Sequence, residues 1–218
     1  MDDQLHAYLM QTRGTNKTWV ARLEKYAADN QVPIMEPLAV DFLMQLIRIK
    51  KPKRILEIGT AIGYSALQMV EAYENTSIVT IERDEIRYKE AINNINELNK
   101  QNQITVLFGD ALNLSEQVKA MGPFDLLFID AAKGQYQHFF DMYTKFLTDD
   151  ALIVSDNVLF KGLVFDESTD NKRLKKIAAK VRQYNDWLVD HPSYKTTIVP
   201  IGDGVAISVK EKDKSEES

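Results

Sequence analysis

Between residues 54 and 157 the chain alternates short apolar, β-rich runs with helical stretches. The runs are RILEIG (54–59), SIVTIE (77–82), ITVLF (104–108), FDLLFID (124–130) and ALIVSDN (151–157). They are apolar on both sides, as strands covered on both faces must be. Strands separated by helices of this length pair in parallel, with helices expected near 65–73, 85–99, 112–121 and 135–146. A longer helix follows, with Leu174, Ile177, Val181, Tyr184 and Leu188 at helical spacing. The segment YKTTIVPIGDGVAISVK then offers two strands around Gly202-Asp203-Gly204, turn chemistry that demands a hairpin and brings an antiparallel strand into the sheet. Ahead of all this, residues 2–11, 17–30 and 37–50 read as helices, the third with Leu38, Phe42, Leu43, Leu46 and Ile47 on one face. The expected organisation is a helical extension (1–50) packed on an α/β domain (51–210), with a polar, disordered tail (211–218).

Bulk properties bound the function classes. The chain has 218 residues, 44% hydrophobic and 27% charged, which suits a soluble protein of one large domain or of one domain with an extension. No apolar run is long enough to span a bilayer, and the start MDDQLHAYLMQ lacks the basic and apolar blocks of a secretory signal. There is no cysteine, so disulfides and thiolate metal sites are excluded. A cytoplasmic protein with no membrane partner is the expectation. A net charge of −5 argues against indiscriminate nucleic-acid binding. Two basic segments stand out locally: RIKKPKR (48–54), and NKRLKKIAAKVR (171–182). Each has a plain reading as a solvated helix end or face.

In open α/β sheets, ligands bind beyond the carboxyl ends of the strands. The first strand ends in Glu57-Ile58-Gly59-Thr60-Ala61-Ile62-Gly63-Tyr64-Ser65. The glycine-any-glycine dinucleotide fingerprint is missing, which removes a pyrophosphate cradle and disfavours a nicotinamide enzyme. E-x-G-x-x-x-G suits a nucleoside cofactor without phosphates, such as S-adenosylmethionine (SAM). Glu82 ends the second strand, placed for ribose hydroxyls. Gly109-Asp110-Ala111 ends the third, where the acid can meet an adenine amino group. Any one of these acids alone could be a helix cap. Their succession at consecutive strand ends points to a nucleoside site.

The fourth and fifth strands end in Asp130 and in Asp156-Asn157. Two carboxylates and an amide oxygen form a hard oxygen set suited to Mg²⁺ or a similar ion. Asp130 belongs to both halves of the site. Lys133, about one helical turn beyond Asp130, can reach the same cavity. Beside a divalent cation the protonated ammonium is disfavoured, which makes Lys133 a candidate general base.

The set EIGTAIGYS, TIERD, GDA, FIDAAK and SDN resembles the metal-dependent SAM O-methyltransferases, typified by the catechol and caffeoyl-CoA enzymes. The similarity runs over about residues 30–210. It implies a seven-stranded Rossmann-like sheet and a homodimer. It also implies metal ligands at Asp130, Asp156 and Asn157, a catalytic base at Lys133, and SAM contacts from Met35, Ser65, Glu82, Asp110 and Ala111. With the loop, Glu57, Gly59, Thr60, Gly63 and Gly109 complete the candidate cofactor set. VPIMEP (32–37), DNVLFKGLV (156–164), YNDWLVDHPSY (184–194) and PIGDGVAIS (200–208) resemble a bacterial branch that methylates 5-hydroxyuridine at the tRNA wobble position. Where animal catechol enzymes carry histidine and tryptophan between acid and lysine, this chain has Ala131 and Ala132, a departure that points away from the small-catechol reading. The resemblance therefore implies methylation of tRNA 5-hydroxyuridine, with the anticodon region as partner. Small catechols and related phenolics are the alternative substrates. On the RNA reading the two basic segments would meet phosphates, Lys161 would lie near the substrate, and Phe160 could stack on an extruded base.

Overall fold

The computed structural model describes residues 3–14, 17–166 and 169–211. Its centre is a seven-stranded sheet in the order β3-β2-β1-β4-β5-β7-β6. The strands are β1 (Arg54–Ile58), β2 (Ser77–Glu82), β3 (Ile104–Phe108), β4 (Phe124–Ile129), β5 (Leu147–Ser155), β6 (Tyr194–Val199) and β7 (Val205–Lys210). Neighbours from β3 to β5 pair in parallel, and β7 runs antiparallel to both β5 and β6. This is the expected seven-stranded, mostly parallel Rossmann-like sheet with an antiparallel hairpin.

The sheet grows outward in both directions from β1 and β4, so the switch point where a crevice opens lies between them. Register places the strand ends at one level. Ile58 pairs with Ile81 and Ile129, and Ile129 pairs with Ser155. The residues immediately after them therefore emerge side by side.

Two apolar layers sandwich the sheet. Leu126, Phe128, Ile55 and Val154 face one layer, shared with Leu23 of α2 (Thr18–Asp29), Leu43 and Ile47 of α3 (Pro37–Lys50), and Leu67 of α4 (Tyr64–Ala72). Leu127 and Ile129 face the other, with Phe139, Phe140 and Tyr143 of α7 (Tyr136–Tyr143), and Tyr184 and Leu188 of α8 (Lys172–Val189). Every residue of LLFI is fully buried. At roughly 1.5–3 kcal/mol per large apolar side chain, such a strand holds its end firmly in place. In α3 the expected apolar face is buried at Leu38, Leu43 and Ile47, while Phe42 and Leu46 are covered only in part. A short α1 (Asp3–Thr12) precedes these helices.

Three expectations shift. β5 starts at Leu147, ahead of the apolar run, because polar LTDD extends the strand at the exposed end of the sheet. Its acids meet Lys50 (Asp150, 2.7 Å) and Lys210 (Asp149, 2.6 Å) instead of a core. The helix expected near 112–121 is a 3-10 turn at Ala111–Asn113 followed by α6 (Ser115–Lys119). The one near 135–146 is α7 flanked by 3-10 turns. Helix α5 (Glu85–Glu97) starts where Asp84 caps the Ile86 and Arg87 amides. Of the expected tail, Glu211 is described and pairs with Lys195 at 3.3 Å. The remainder, 212–218, lies outside the described residues. Among the described residues, no helix is long and apolar enough to cross a membrane.

Candidate active site

The first strand end is built around a buried acid. Glu57 is fully buried, and accepts hydrogen bonds from the hydroxyls of Ser65 and Thr80 (2.5 Å for the latter). Thr80 in turn shares a 2.7 Å contact with Thr60. Burial pushes the Glu57 carboxyl up to about 7, with the two hydroxyl donors opposing the shift. Glu57, Thr60 and Ser65 thus support the loop from beneath. Gly59 has φ +105°, and a Cβ there would overlap the Asp130 carbonyl. The glycine is required by the close approach of the β1 and β4 ends, where the sequence alone suggested room for a ligand. Gly63, also at positive φ, starts α4.

Glu82 is woven into the same loop. One carboxylate oxygen accepts the Ala61 amide at 2.8 Å, and the other accepts those of Arg83 (2.9 Å) and Asp84 (2.8 Å). Asp110 caps its 3-10 turn through the Leu112 amide at 2.9 Å. The capping reading of Asp110 is therefore realised, and leaves lone pairs free for a ligand. Glu82, Gly109, Asp110 and Ala111 line a cavity of about 300 Å³ together with Gly59 and Ala61. Met35 is instead buried in the first apolar layer, and its neighbours Pro33 and Ile34 reach the cavity wall.

The same cavity continues to Asp130, Ala131, Ala132, Lys133 and Asn157. Neither Asp130 nor Asp156 caps a helix: the turn after Asp130 starts at Ala132 without a side-chain cap. Asp156 is 1% exposed, and its Oδ1 is buried with no hydrogen-bond partner. Its Oδ2 accepts from the Asn157 side-chain amide, and its backbone carbonyl accepts the Tyr136 hydroxyl at 3.0 Å. Burial raises the Asp130 carboxyl to about 6, with Lys133 opposing. It raises Asp156 well above the carboxylate range, with repulsion from Asp130 adding to the shift. Two buried acids that resist ionising, one with an orphaned oxygen, form a place where a cation would satisfy the charge. Among the described residues no group of three His, Cys, Asp or Glu side chains is placed to hold a metal ion, so a cation here would draw its third protein oxygen from a neutral group such as the Asn157 amide. The donor set fits a hard divalent ion.

Lys133 does not share a helix with Asp130. Extended Ala132 separates them, and Lys133 opens a 3-10 turn (Lys133–Gln135). Its ammonium still enters the site, donating to Asn157 Oδ1 at 2.9 Å and lying 5.7 Å from the centre of the Phe160 ring. Lys161 is exposed on the following loop.

The two basic segments part company in space. RIKKPKR runs from the end of α3 into the amino end of β1, on the edge of the sheet opposite the cavity. The exposed cations of α8, including Lys172, Arg173, Lys175 and Lys176, belong to a helix that packs beside the Lys133–Gln135 turn. There a Cβ on Gly134 would touch Lys180 at 3.4 Å.

Sequence reasoning missed Pro33, Ile34, Arg83, Arg87 and Phe139, all of which line the cavity. Arg83 and Arg87 were legible, four residues apart where Glu82 leads into α5. Pro33 and Ile34 arrive from a distant loop and carry no local signal.

Comparison with known proteins agrees with this layout. A family model described as O-methyltransferase matches residues 10–211. The catechol O-methyltransferase of Niastella koreensis is 31% identical, over 79% of this chain and 75% of its own length. The caffeoyl-CoA O-methyltransferase of Populus kitakamiensis is 27% identical, over 76% of this chain and 73% of its own. A Staphylococcus aureus protein provisionally described as a caffeoyl-CoA O-methyltransferase superimposes with a TM-score of 0.87 at 37% identity, covering 95% of this chain and 98% of that one. A Bacillus cereus O-methyltransferase solved with S-adenosylhomocysteine (SAH) gives 0.81 at 25% identity, covering 95% and 97%. The relatives' names speak of catechol and caffeoyl-CoA, nearer to the small-phenolic alternative than to tRNA.

Proposed function

Because this chain belongs to the O-methyltransferase family, we propose that it moves the methyl group of SAM onto one hydroxyl of a vicinal oxygen pair on a planar, catechol-like ring. The observation that carries this reading is the orphaned, buried Oδ1 of Asp156, whose carboxylate is bonded to Asn157 and feels Asp130 and Lys133, three residues that line a cavity shared with the nucleoside-binding acids. Glu82 and Asp110 would take the ribose and adenine of SAM, and Gly59 to Gly63 the backbone side of the cofactor. The SAH bound to the Bacillus cereus relative supports that cofactor.

Asp130, Asp156 and Asn157 would hold Mg²⁺ or a similar ion. When bound, such an ion supplies Lewis acidity that lowers the pKa of a chelated hydroxyl. Lys133 is the general base, a role generally worth about 10²–10⁴-fold. Its proton acceptor is Nζ, kept in the site by Asn157. Phe160 offers a flat face for the acceptor ring, and Ala131 and Ala132 leave room beside it. Catalysis is then largely a matter of holding nucleophile and methyl in line.

A second reading keeps the chemistry and changes the carrier: 5-hydroxyuridine in the tRNA anticodon region also presents a hydroxyl beside a carbonyl. It is favoured by the cationic face of α8 beside the Lys133–Gln135 turn. A homodimer in the cytoplasm belongs to the same proposal, carried by the family resemblance, and light scattering of the purified protein checks the dimer. The decisive experiment supplies SAM and Mg²⁺ with catechol, and separately with tRNA containing 5-hydroxyuridine. Methylated catechol, abolished by EDTA and restored by Mg²⁺, is the expected product. Turnover of the tRNA alone would install the second reading. Turnover of neither overturns the vicinal-oxygen chemistry.

A further inference from the structure

The loop after Asp156 is held in an unusual backbone path. Asn157, Phe160 and Lys161 have φ of +60°, +46° and +54°, and Gly162 follows at +79°. Residues with a Cβ rarely adopt this region, and they persist in it only where their surroundings impose it. The imposing element is the β6–β7 turn. The Val158 amide donates to the Gly204 carbonyl (3.0 Å), and the Leu159 amide to the Asp203 carbonyl (2.8 Å). The Lys161 amide donates to the Asp203 side chain. Asp203 thus grips the residue before Phe160 and the residue after it. The turn itself is wedged: a Cβ on Gly204 would overlap Leu159, and one on Gly202 would come within 2.8 Å of Ala39. From the other side, the Asn185 side chain donates to the Val158 carbonyl at 2.7 Å.

We propose that Asp203 is a positioning residue for the acceptor ring, gripping Leu159 and Lys161 so that the Phe160 ring stays opposite the Lys133 ammonium. The inference rests on the reading that this cavity takes the acceptor. Asp203 itself bonds backbone amides of the loop and not the reacting atoms. It acts through Phe160, whose ring centre lies 5.7 Å from Lys133 Nζ. The part it plays is that of a hydrogen-bond acceptor, so an amide oxygen at the same place should serve.

The test compares Asp203→Ala, Asp203→Asn and Asp203→Ser, the serine being too short to reach the Lys161 amide. Hydrogen exchange over residues 157–163 is read first, with no acceptor present. Protection should fall in the Ala and Ser variants and survive in the Asn variant. With catechol as acceptor, Asp203→Ala should raise KM by about tenfold, the usual order for one lost hydrogen bond. The SAM Kd, measured by calorimetry, should stay within about twofold. In a Phe160→Ala background, Asp203→Ala should raise KM no further. Equal impairment of the Asn and Ala variants overturns the proposal, as does unchanged exchange in Ala and Ser. A loss of SAM affinity matching the loss in KM would mark a general structural role and overturn it too. If wild-type protein leaves catechol unmethylated, the proposed function falls, while the exchange measurement still decides the grip of Asp203.

Discussion

Two groups of strand-end acids share one cavity and meet opposite fates. On the cofactor side, Glu57 and Glu82 have both carboxylate oxygens occupied by the protein, through two hydroxyls and three backbone amides, while Asp110 gives one oxygen to its capped turn. On the other side, Asp130 is partly buried and Asp156 is as deep as Glu57, but Asp156 keeps an oxygen with no partner. A buried polar atom left unpaired typically costs about 1–3 kcal/mol, more when charged. Glu57 is fully satisfied beneath the loop, while Asp156 keeps an oxygen unpaired beside the cavity-lining Asn157, and the proposed cation would meet that need.

The largest effect should come from the open side. Asp156→Ala is expected to lower methyl transfer by at least about a hundredfold, exceeding even the penalty typical of losing a metal site's supporting partners. Calorimetry should find SAM binding within about threefold of wild type. An equal loss of SAM affinity would erase the distinction between the two groups. Next comes the occupied side. Glu82→Ala removes the acceptor of three amides and the proposed ribose partner, and should weaken SAM binding about tenfold while leaving Mg²⁺ stimulation intact.

A smaller effect follows from burial. Folded, Glu57 holds its proton up to about pH 7, against 4.5 for an unperturbed glutamate. Between those values the folded state binds more protons than the unfolded one. The stabilisation is therefore fully present below the lower value and lost as pH rises through the higher one. Asp130 and Asp156 are shifted in the same direction. The melting temperature of metal-free protein should fall between about pH 5 and pH 8, and Glu57→Gln should make that fall shallower. A melting temperature that climbs over this range would contradict the burial argument. The smallest effect concerns the two basic segments. Replacing Lys172, Lys175 and Lys176 with Glu should leave catechol methylation unchanged. If tRNA is the substrate, the same change should reduce its methylation and flatten its salt dependence. Replacing Lys51 and Lys53 should alter neither, because they lie at the far edge of the sheet.

Much of this was legible because strand ends are local. A run such as FDLLFID announces both its burial and the residue that emerges from it, so Asp130, Asp156, Glu82 and Asp110 could be named before any fold was known. LTDD was not legible as strand, since an exposed strand tip has no apolar signal. The reason for Gly59 was hidden too: its neighbour is the Asp130 carbonyl, seventy-one positions away in the chain. Met35 was named for the cofactor site, yet it fills the core while Pro33 and Ile34 take the wall.

By itself the sequence determined the parallel sheet, the hairpin at its edge and the chemical types of the site, because period, turn residues and strand-end acids are local properties. Tertiary structure decided which acid is satisfied and which keeps an unpaired oxygen, which basic segment packs beside the Lys133–Gln135 turn, and that Asp203 reaches across to hold the loop beside Phe160. Those outcomes depend on register between strands and on contacts between residues far apart in the chain, and spacing along the sequence carries neither.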